Sequence, residues 1–585
     1  MKASLSAKLK ELSRHHGSMP LKNVNAATCA AAVMLGLSVQ DFDSKWSTVE
    51  VAVCTSVCAA CAVSAACIIC GRRKASFDNA DLLVGLWTLY LCLNTVGSDF
   101  PCSTTFLKSI WPCLLYFSVK PIFNRYKLNE ETFLLLLVVS GLCEALYGYS
   151  QLFTGSRHHM YAVTGSFQNP GPYSAYLMTA LIAAVTGLKN NVFGAGRNIV
   201  LCCTATMAII FPSTMSRAAL LPFILIMVWT FRTWCWQKRY YVAVALMLVA
   251  VGAYLLKQKS ADGRLIIWLA ALEGWKDSPW IGAGTGGFMH TFSQGMTNLY
   301  ASGQLGAERF QSVDVPEYAF NDAIYILVEH GMAGLLLWLG IVCVVCRALW
   351  RRSKPSLYTL LSLLAFSMFS YPMELMPFKI LLVLFMAWAT AETSNHTATT
   401  ATKSRGTMSC LLLLLAGVAV AHTVSQRAAT DNHINDLKTM PQPHLLKDYY
   451  AFMETETDDA NYMFCFGKAL SSLKRYSDSN AILRKGTLVS ADPMFYVVMG
   501  NNYRNMGMPL QAEWCYKRAF AMMPNRLYPL YKLAQLYHDT GQTDEMRRIC
   551  KRIMHFHPKI ESRATNEMKA EATQMLNPKR SLGRK

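Results

Sequence analysis

The sequence predicts an all-α protein, a polytopic helical membrane domain of about thirteen spans followed by a soluble helical domain. Three observations carry that prediction. Across 585 residues, 53% are hydrophobic and only 16% charged, the balance of a membrane protein with a soluble part. Apolar runs approaching the ~20 residues needed to cross ~30 Å of hydrocarbon recur as far as residue 424 and then stop. Beyond residue 445 the chain turns charged and repeats with a 34-residue period, the signature of stacked helical hairpins.

In chain order, residues 1–23 form a basic cytoplasmic N-terminus. Residues 24–424 form the membrane domain, with spans expected near 24–40, 50–70, 80–96, 105–119, 132–152, 171–188, 197–211, 217–231, 240–256, 322–346, 356–372, 375–391 and 408–424. A polar stretch, residues 257–321, interrupts it between the ninth and tenth spans, and connections of that length are seldom mere linkers. A linker at 425–445 leads to the repeat domain, 446–576, and a basic tail at 577–585 reads as disordered. In the repeats, Gly500, Tyr503, Gly507, Ala512, Tyr516, Ala519 and Pro524 are followed one period later by Ala534, Tyr537, Gly541, Met546, Cys550, Ile553 and Pro558. A degenerate unit from Phe466 to Pro493 precedes them. This is the tetratricopeptide pattern, small residues letting paired helices approach and aromatics filling the gap. Such an array either caps the membrane domain or docks a protein partner, and its excess of Lys and Arg favours an anionic one.

The net charge of +20 does not indicate a nucleic-acid partner, because its placement follows the positive-inside rule. Basic residues cluster before span one (Lys8, Lys10, Arg14) and in every second loop thereafter: Arg72 and Arg73, Lys120 and Arg125, Lys189 and Arg197, Arg232 and Lys238, Arg351 and Arg352, Lys403 and Arg405. The first span then serves as a signal anchor. By parity, the 257–321 loop and everything after span thirteen face outward. Of the 19 cysteines, the pairs Cys58/Cys61 and Cys67/Cys70 have zinc-like spacing. They lie in apolar runs where thiolates would be costly to desolvate, so no metal is expected. Cys465, Cys515 and Cys550 fall on helical packing positions, and no disulfide framework is expected.

Parity brings four polar motifs to the outer face. Thr164 to Tyr173 contains Asn169-Pro170, a helix start whose unpaired N–H groups would point outward. Ser213 to Arg217 is a tight link ending in Ser216-Arg217, and an arginine at the mouth of an apolar span is costly unless paired or given an anion. Arg264 heads an amphipathic segment (Leu265, Trp268, Leu269, Leu272) suited to the membrane interface. Asn321-Asp322 heads span ten. Each has a plain structural reading beside the functional one. Arg217 and Arg264 could snorkel to lipid head groups, Asn169 could serve only as a helix start, and Asn321 could be a helix cap. The Gly282–Gly287 run lacks the strand and lysine of a phosphate loop and reads as a turn that lets chains approach closely. Convergence on one face favours function, and two fork-shaped guanidiniums suit a diphosphate.

Over roughly residues 130 to 390, these motifs resemble the O-antigen ligase/O-antigen polymerase superfamily of bacterial glycan transferases. The resemblance rests on Gly165-Ser-Phe-Gln-Asn-Pro170, Ser216-Arg217, Gly263 to Trp268, Asp277 to Phe288, and Ala319 to Gly334. It implies transfer of a glycan from undecaprenyl diphosphate to an acceptor hydroxyl, without cofactor or metal, at the periplasmic face of the bacterial inner membrane. Arg217 and Arg264 then correspond to the diphosphate-binding arginines, with Asn169 and Ser216 beside them on the substrate and Asn321 and Asp322 at the reacting end. The family usually carries a histidine where this chain has Phe320, which cannot accept a proton. Glu317 is the preferred substitute, ahead of Asp314, Asp322 and His290. The acceptor is expected to be lipid A core, making the protein an O-antigen ligase. A protein hydroxyl or another glycan are the alternatives, and a lipid or solute transporter is the rival from another class. Against the transporter, the sequence shows no repeated halves.

Overall fold

The computed structural model describes residues 78–101, 103–156, 161–167, 169–244, 247, 258–303, 306–316, 318–391, 436–454, 456–559 and 561–576. The expected spans near 24–40, 50–70 and 408–424, most of 240–256, the four cysteines of zinc-like spacing, Glu317 and the basic tail lie outside the described residues. The protein is a polytopic α-helical one, and no strand occurs among the described residues.

The membrane part comprises α1 (Asn79–Val96), α2 (Ser103–Tyr126), α3 (Glu130–Thr154), α4 (Pro170–Lys189), α5 (Arg197–Ile210), α6 (Arg217–Thr230), α7 (Arg232–Gln237), α10 (Asp322–Arg352), α11 (Lys354–Ser367) and α12 (Met376–Thr390). The polar stretch between them folds into α8 (Gln258–Trp275) and α9 (Phe288–Ser302). Length and apolar composition mark α3, α4, Arg197–Thr214 and α10 as able to cross a membrane, with α6 and α12 as shorter apolar helices. Local chemistry explains the starts. Asp78 and Asp81 form a reciprocal capping box on α1, and Asn129 Oδ1 accepts from Thr132 N at 2.8 Å to cap α3. Pro170 occupies the first turn of α4, where its missing N–H costs nothing.

Buried α4 is the hub, packed by α3, α5, α6 and α11. Small residues allow the approach: a Cβ on Gly141 of α3 would lie 2.2 Å from that of Ala180. One end of the bundle gathers the basic loops. Lys120 pairs there with Asp78 and Asp81, both at 2.7 Å. Ser353 bonds Glu130, and the Arg352 guanidinium bonds the carbonyls of Trp388 and Ala391. Residues 164–169, 217, 264 and 371 gather at the other end, as described below.

Helix α10 departs from the expected span at 322–346. It breaks at Gly331 (φ 63°, ψ −169°), which leaves an unbroken apolar stretch from Met332 to Arg352, about the ~20 residues a crossing requires. Glu329 and His330, expected deep in the span, instead sit just before the break and hold the Gly-rich turn. The Glu329 carboxylate accepts from Gly286 N (3.1 Å) and Phe288 N (3.3 Å), satisfying orphan donors at the start of α9. His330 Nδ1 lies 2.9 Å from Asn94 Oδ1.

The C-terminal part runs through α13 (Leu446–Ala451), α14 (Ala460–Ser472), α15 (Tyr476–Val489), α16 (Met494–Asn505), α17 (Pro509–Met522), α18 (Tyr528–Asp539), α19 (Thr543–Met554) and α20 (Arg563–Leu576). Its hairpins begin at Ala460, Met494 and Tyr528, which keeps the period read from the sequence. Gly500 gives way to the ring of Tyr516, where a Cβ would meet it at 2.5 Å, and Cys465, Cys515 and Cys550 are buried in the apolar core. This array is seated on the loop domain: α15 and α17 pack on α9, and Ala491 and Met523 enter the core built by Ile267, Phe292 and Phe310.

Candidate functional site

The end of the bundle away from the basic loops opens into a cavity of about 920 Å³ lined by Asn169, Arg264, Asp314, Tyr318, Phe320, Tyr371 and His557 among others. Three stretches of the membrane and loop domains contribute to its wall, beside residues 557–559 of the C-terminal array, and each of the three is held by a specific device.

The first is the turn before α4. Gln151 of α3 accepts from Thr164 N (2.8 Å) and Gly165 N (2.9 Å) and donates to Gly165 O (3.0 Å). Buried Glu144 accepts from Ser166 N at 3.2 Å and from its hydroxyl. Gly165 has a positive φ of 58°, and a Cβ there would strike Tyr173 at 2.1 Å, so glycine is required. Asn169 emerges with Oδ1 accepting from Gly171 N (2.9 Å) and Nδ2 donating to Tyr371 Oη (3.0 Å).

The second is α8 with its neighbour Arg217. Arg264 Nη1 donates to Phe369 O at 2.6 Å, and its guanidinium lies 5.1 Å from the Phe320 ring centre. Burial, and then the like charge of Arg217, hold Arg264 below the usual arginine range, with Tyr371 acting in the opposite sense. Arg217 stands at the first turn of α6, with Ser216 as its N-terminal flank and giving no side-chain cap. The expected interfacial face is present in Leu265 and Leu269, exposed at 52% and 44%. Trp268 turns inward instead, its Nε1 donating to Ala319 O at 2.8 Å.

The third is the Tyr318–Asp322 stretch against the turn between α11 and α12. Tyr318 stacks on Tyr371 at 4.3 Å and Phe320 meets Tyr371 edge-on at 5.4 Å. Asn321 is buried and caps α10, accepting from Ile324 N at 3.1 Å. Asp322, also buried, accepts from Met373 N at 3.2 Å and so steadies the turn that carries Tyr371. Neither Asn321 nor Asp322 lines the cavity, so their contribution to it is positional.

Of the sequence candidates, the fold brings Asn169, Arg217 and Arg264 together, with Ser216 adjoining. Among the substitutes for a proton acceptor, Asp314 lines the cavity but is paired with Arg526 (2.8 Å) and Lys559 (3.1 Å). His290 faces away, its Nδ1 3.1 Å from Thr487 O. Sequence reasoning missed Tyr371, Gln151 and His557. Tyr371 carried a signal: Ser370-Tyr371-Pro372 interrupts two apolar runs at a link that parity places outward. Gln151 carried none, being one polar residue in an apolar helix.

The fold is a polytopic helical bundle with Arg264 and its neighbour Arg217 at one end. Residues 202–339 match the family model described as O-Antigen ligase, and the chain thereby carries a domain of the O-antigen ligase superfamily. That makes it a bacterial membrane protein of the glycosyltransferase type that these ligases and polymerases represent. The match takes in Ser216, Arg217, Arg264, Phe320, Asn321 and Asp322; Asn169, Tyr371 and the C-terminal array lie outside it. No curated protein matches the chain.

Proposed function

We propose that the protein transfers a glycan from undecaprenyl diphosphate to a hydroxyl of lipid A core at the periplasmic face, as an O-antigen ligase. The observation that carries this reading is the adjacency of Arg217 and Arg264 beside a cavity, each working against the other's charge. A bridging anion would relieve the repulsion that Arg217 exerts on Arg264, and a diphosphate presents oxygens to both forks. Arg264 is already oriented by Phe369 and Phe320, so it needs little reorganisation when charge develops on the leaving group.

In this mechanism the acceptor oxygen attacks the anomeric carbon from the face opposite the diphosphate, inverting it. The carbon–oxygen bond to the diphosphate breaks, and its electron pair passes to the phosphate oxygen held by the arginines. Asn169 offers a further donor to the same anion, the second N–H of Nδ2 beside the one given to Tyr371. The exposed apolar face of α8 supports a polyprenyl chain approaching from the bilayer. The C-terminal array, read as tetratricopeptide-like repeats rich in Lys and Arg, suits the phosphorylated core of a lipid acceptor.

The test is turnover of purified protein with a polyprenyl-diphosphate-linked glycan and, in parallel, lipid A core, a Ser/Thr-rich protein or a second lipid-linked glycan. Product is expected on lipid A core; product on protein or glycan instead would reassign the acceptor. Arg264→Ala and Arg217→Ala should each lower transfer by roughly 100-fold or more, the scale of losing one preorganised donor to a developing anion. Normal turnover in both variants would remove the diphosphate role.

A further inference from the structure

The cavity beside Arg264 is not closed by the membrane domain alone. His557, Pro558 and Lys559, from the segment after α19, form part of its wall. That segment is anchored on both sides. Before it, the Arg552 guanidinium donates to Tyr300 Oη at 2.5 Å; after it, Lys559 Nζ pairs with Asp314 Oδ2 at 3.1 Å. Beneath it, buried Asn525 Nδ2 donates to the carbonyls of Phe310 (3.1 Å) and Val313 (2.6 Å). A turn tied down this way holds its side chains at a set place over the cavity.

We infer that His557 is the proton acceptor of the transfer reaction, supplied to the membrane site by the C-terminal helical domain. The inference rests on the reaction proposed above, in which a neutral hydroxyl attacks and must lose its proton. Among the described residues, which leave out Glu317, the ionisable groups lining the cavity are Arg264, Asp314, Tyr318, Tyr371, His557 and Lys559. Arginine and lysine are cations at neutral pH, and phenols with pKa values of ~10 are not bases there. Asp314 has one carboxylate oxygen on Arg526 and the other on Lys559, so taking a proton would break two ion pairs. An imidazole can take a proton from a hydroxyl through the ring nitrogen that carries no hydrogen. As the acceptor oxygen bonds to the anomeric carbon, its proton passes to an imidazole nitrogen of His557 while the diphosphate leaves with the electron pair. The cations Arg264 and Lys559 and the anion Asp314, itself joined to Arg526, line the same cavity as His557.

The experiment measures initial rates of the full-length protein with the lipid-linked glycan and the acceptor that supports turnover, from pH 5 to 8.5. Donor binding is followed separately. His557→Ala and His557→Gln should each lower kcat by roughly 100-fold with donor affinity unchanged. The rise in rate through the imidazole range should disappear in both, and added imidazole should restore part of the rate to His557→Ala. Wild-type rate and pH profile in His557→Ala would overturn the assignment. So would a loss confined to KM, or disappearance of the inflection in Glu317→Gln but not in His557→Ala. Arg264→Ala separates the two levels. If it abolishes transfer while His557 variants are normal, only the proton acceptor is wrong; if the wild-type protein transfers no glycan from the lipid-linked donor to any acceptor, the proposed reaction falls and the role of His557 with it.

Discussion

Phe320 has a left-handed backbone (φ 54°), rare for a bulky residue, and its neighbours explain how that is maintained. Its ring is held between the Arg264 guanidinium and the edge of Tyr371, contacts worth ~0.5–2 kcal/mol each against a backbone cost of order ~1–3 kcal/mol. Phe320 thus acts as a platform for the arginine. Gln151 is the opposite case, a polar side chain buried in an apolar helix because it satisfies three backbone groups of the 164–165 turn. Gln151→Leu would strand those groups at ~1–3 kcal/mol each. A fall of several degrees in the thermal midpoint of the detergent-solubilised protein is expected, with loosening of the Asn169 turn. An unchanged midpoint would mean that water satisfies those groups instead.

Among the elements, α10 carries the most unusual feature, its break at Gly331. The break lets Met332 N and Ala333 N donate to the carbonyls of Pro279 and Trp280, both at 3.0 Å, so the Gly-rich turn completes the helix where its own ladder stops. A Cβ at Gly331 would stand 2.3 Å from Trp280 O, and one at Gly282 would stand 2.4 Å from Glu329 O. Gly331→Ala should therefore destabilise by ~1–3 kcal/mol from backbone strain alone, with the carbonyl clash added. Gly194→Ala, where no atom lies within 4 Å of the new methyl, serves as control. Equal thermal midpoints for the two variants would show that the break is not a fixed hinge point.

At the scale of the whole molecule, the helical array and the loop domain form one packed unit. Asn525 is buried and bonds two loop carbonyls, whereas Asp314 and Arg526 are 60% and 56% exposed. Exposed pairs contribute ~0–1 kcal/mol, while unpaired buried carbonyls cost ~1–3 kcal/mol each. Asn525→Ala should therefore raise hydrogen exchange in residues 306–316 roughly tenfold or more, and Asp314→Asn should change it little. The reverse order would mean that electrostatics rather than burial holds the array in place.

The sequence by itself determined the helical class, the position of most described helices and the 34-residue step of the array. These are legible because hydropathy, charge alternation and small-residue periodicity are local patterns imposed by the solvent on each segment separately. Tertiary structure decided the break in α10, the inward turn of Trp268, the positional roles of Asn321 and Asp322, and the partners of Gln151 and Glu144. It also decided that a turn near residue 557 lies over an arginine at 264. No local pattern encodes such a meeting, because it arises from packing between faces nearly three hundred residues apart in sequence. The charge of Arg264 could be read from the chain; what lies across the cavity from it depended on where the last domain comes to rest.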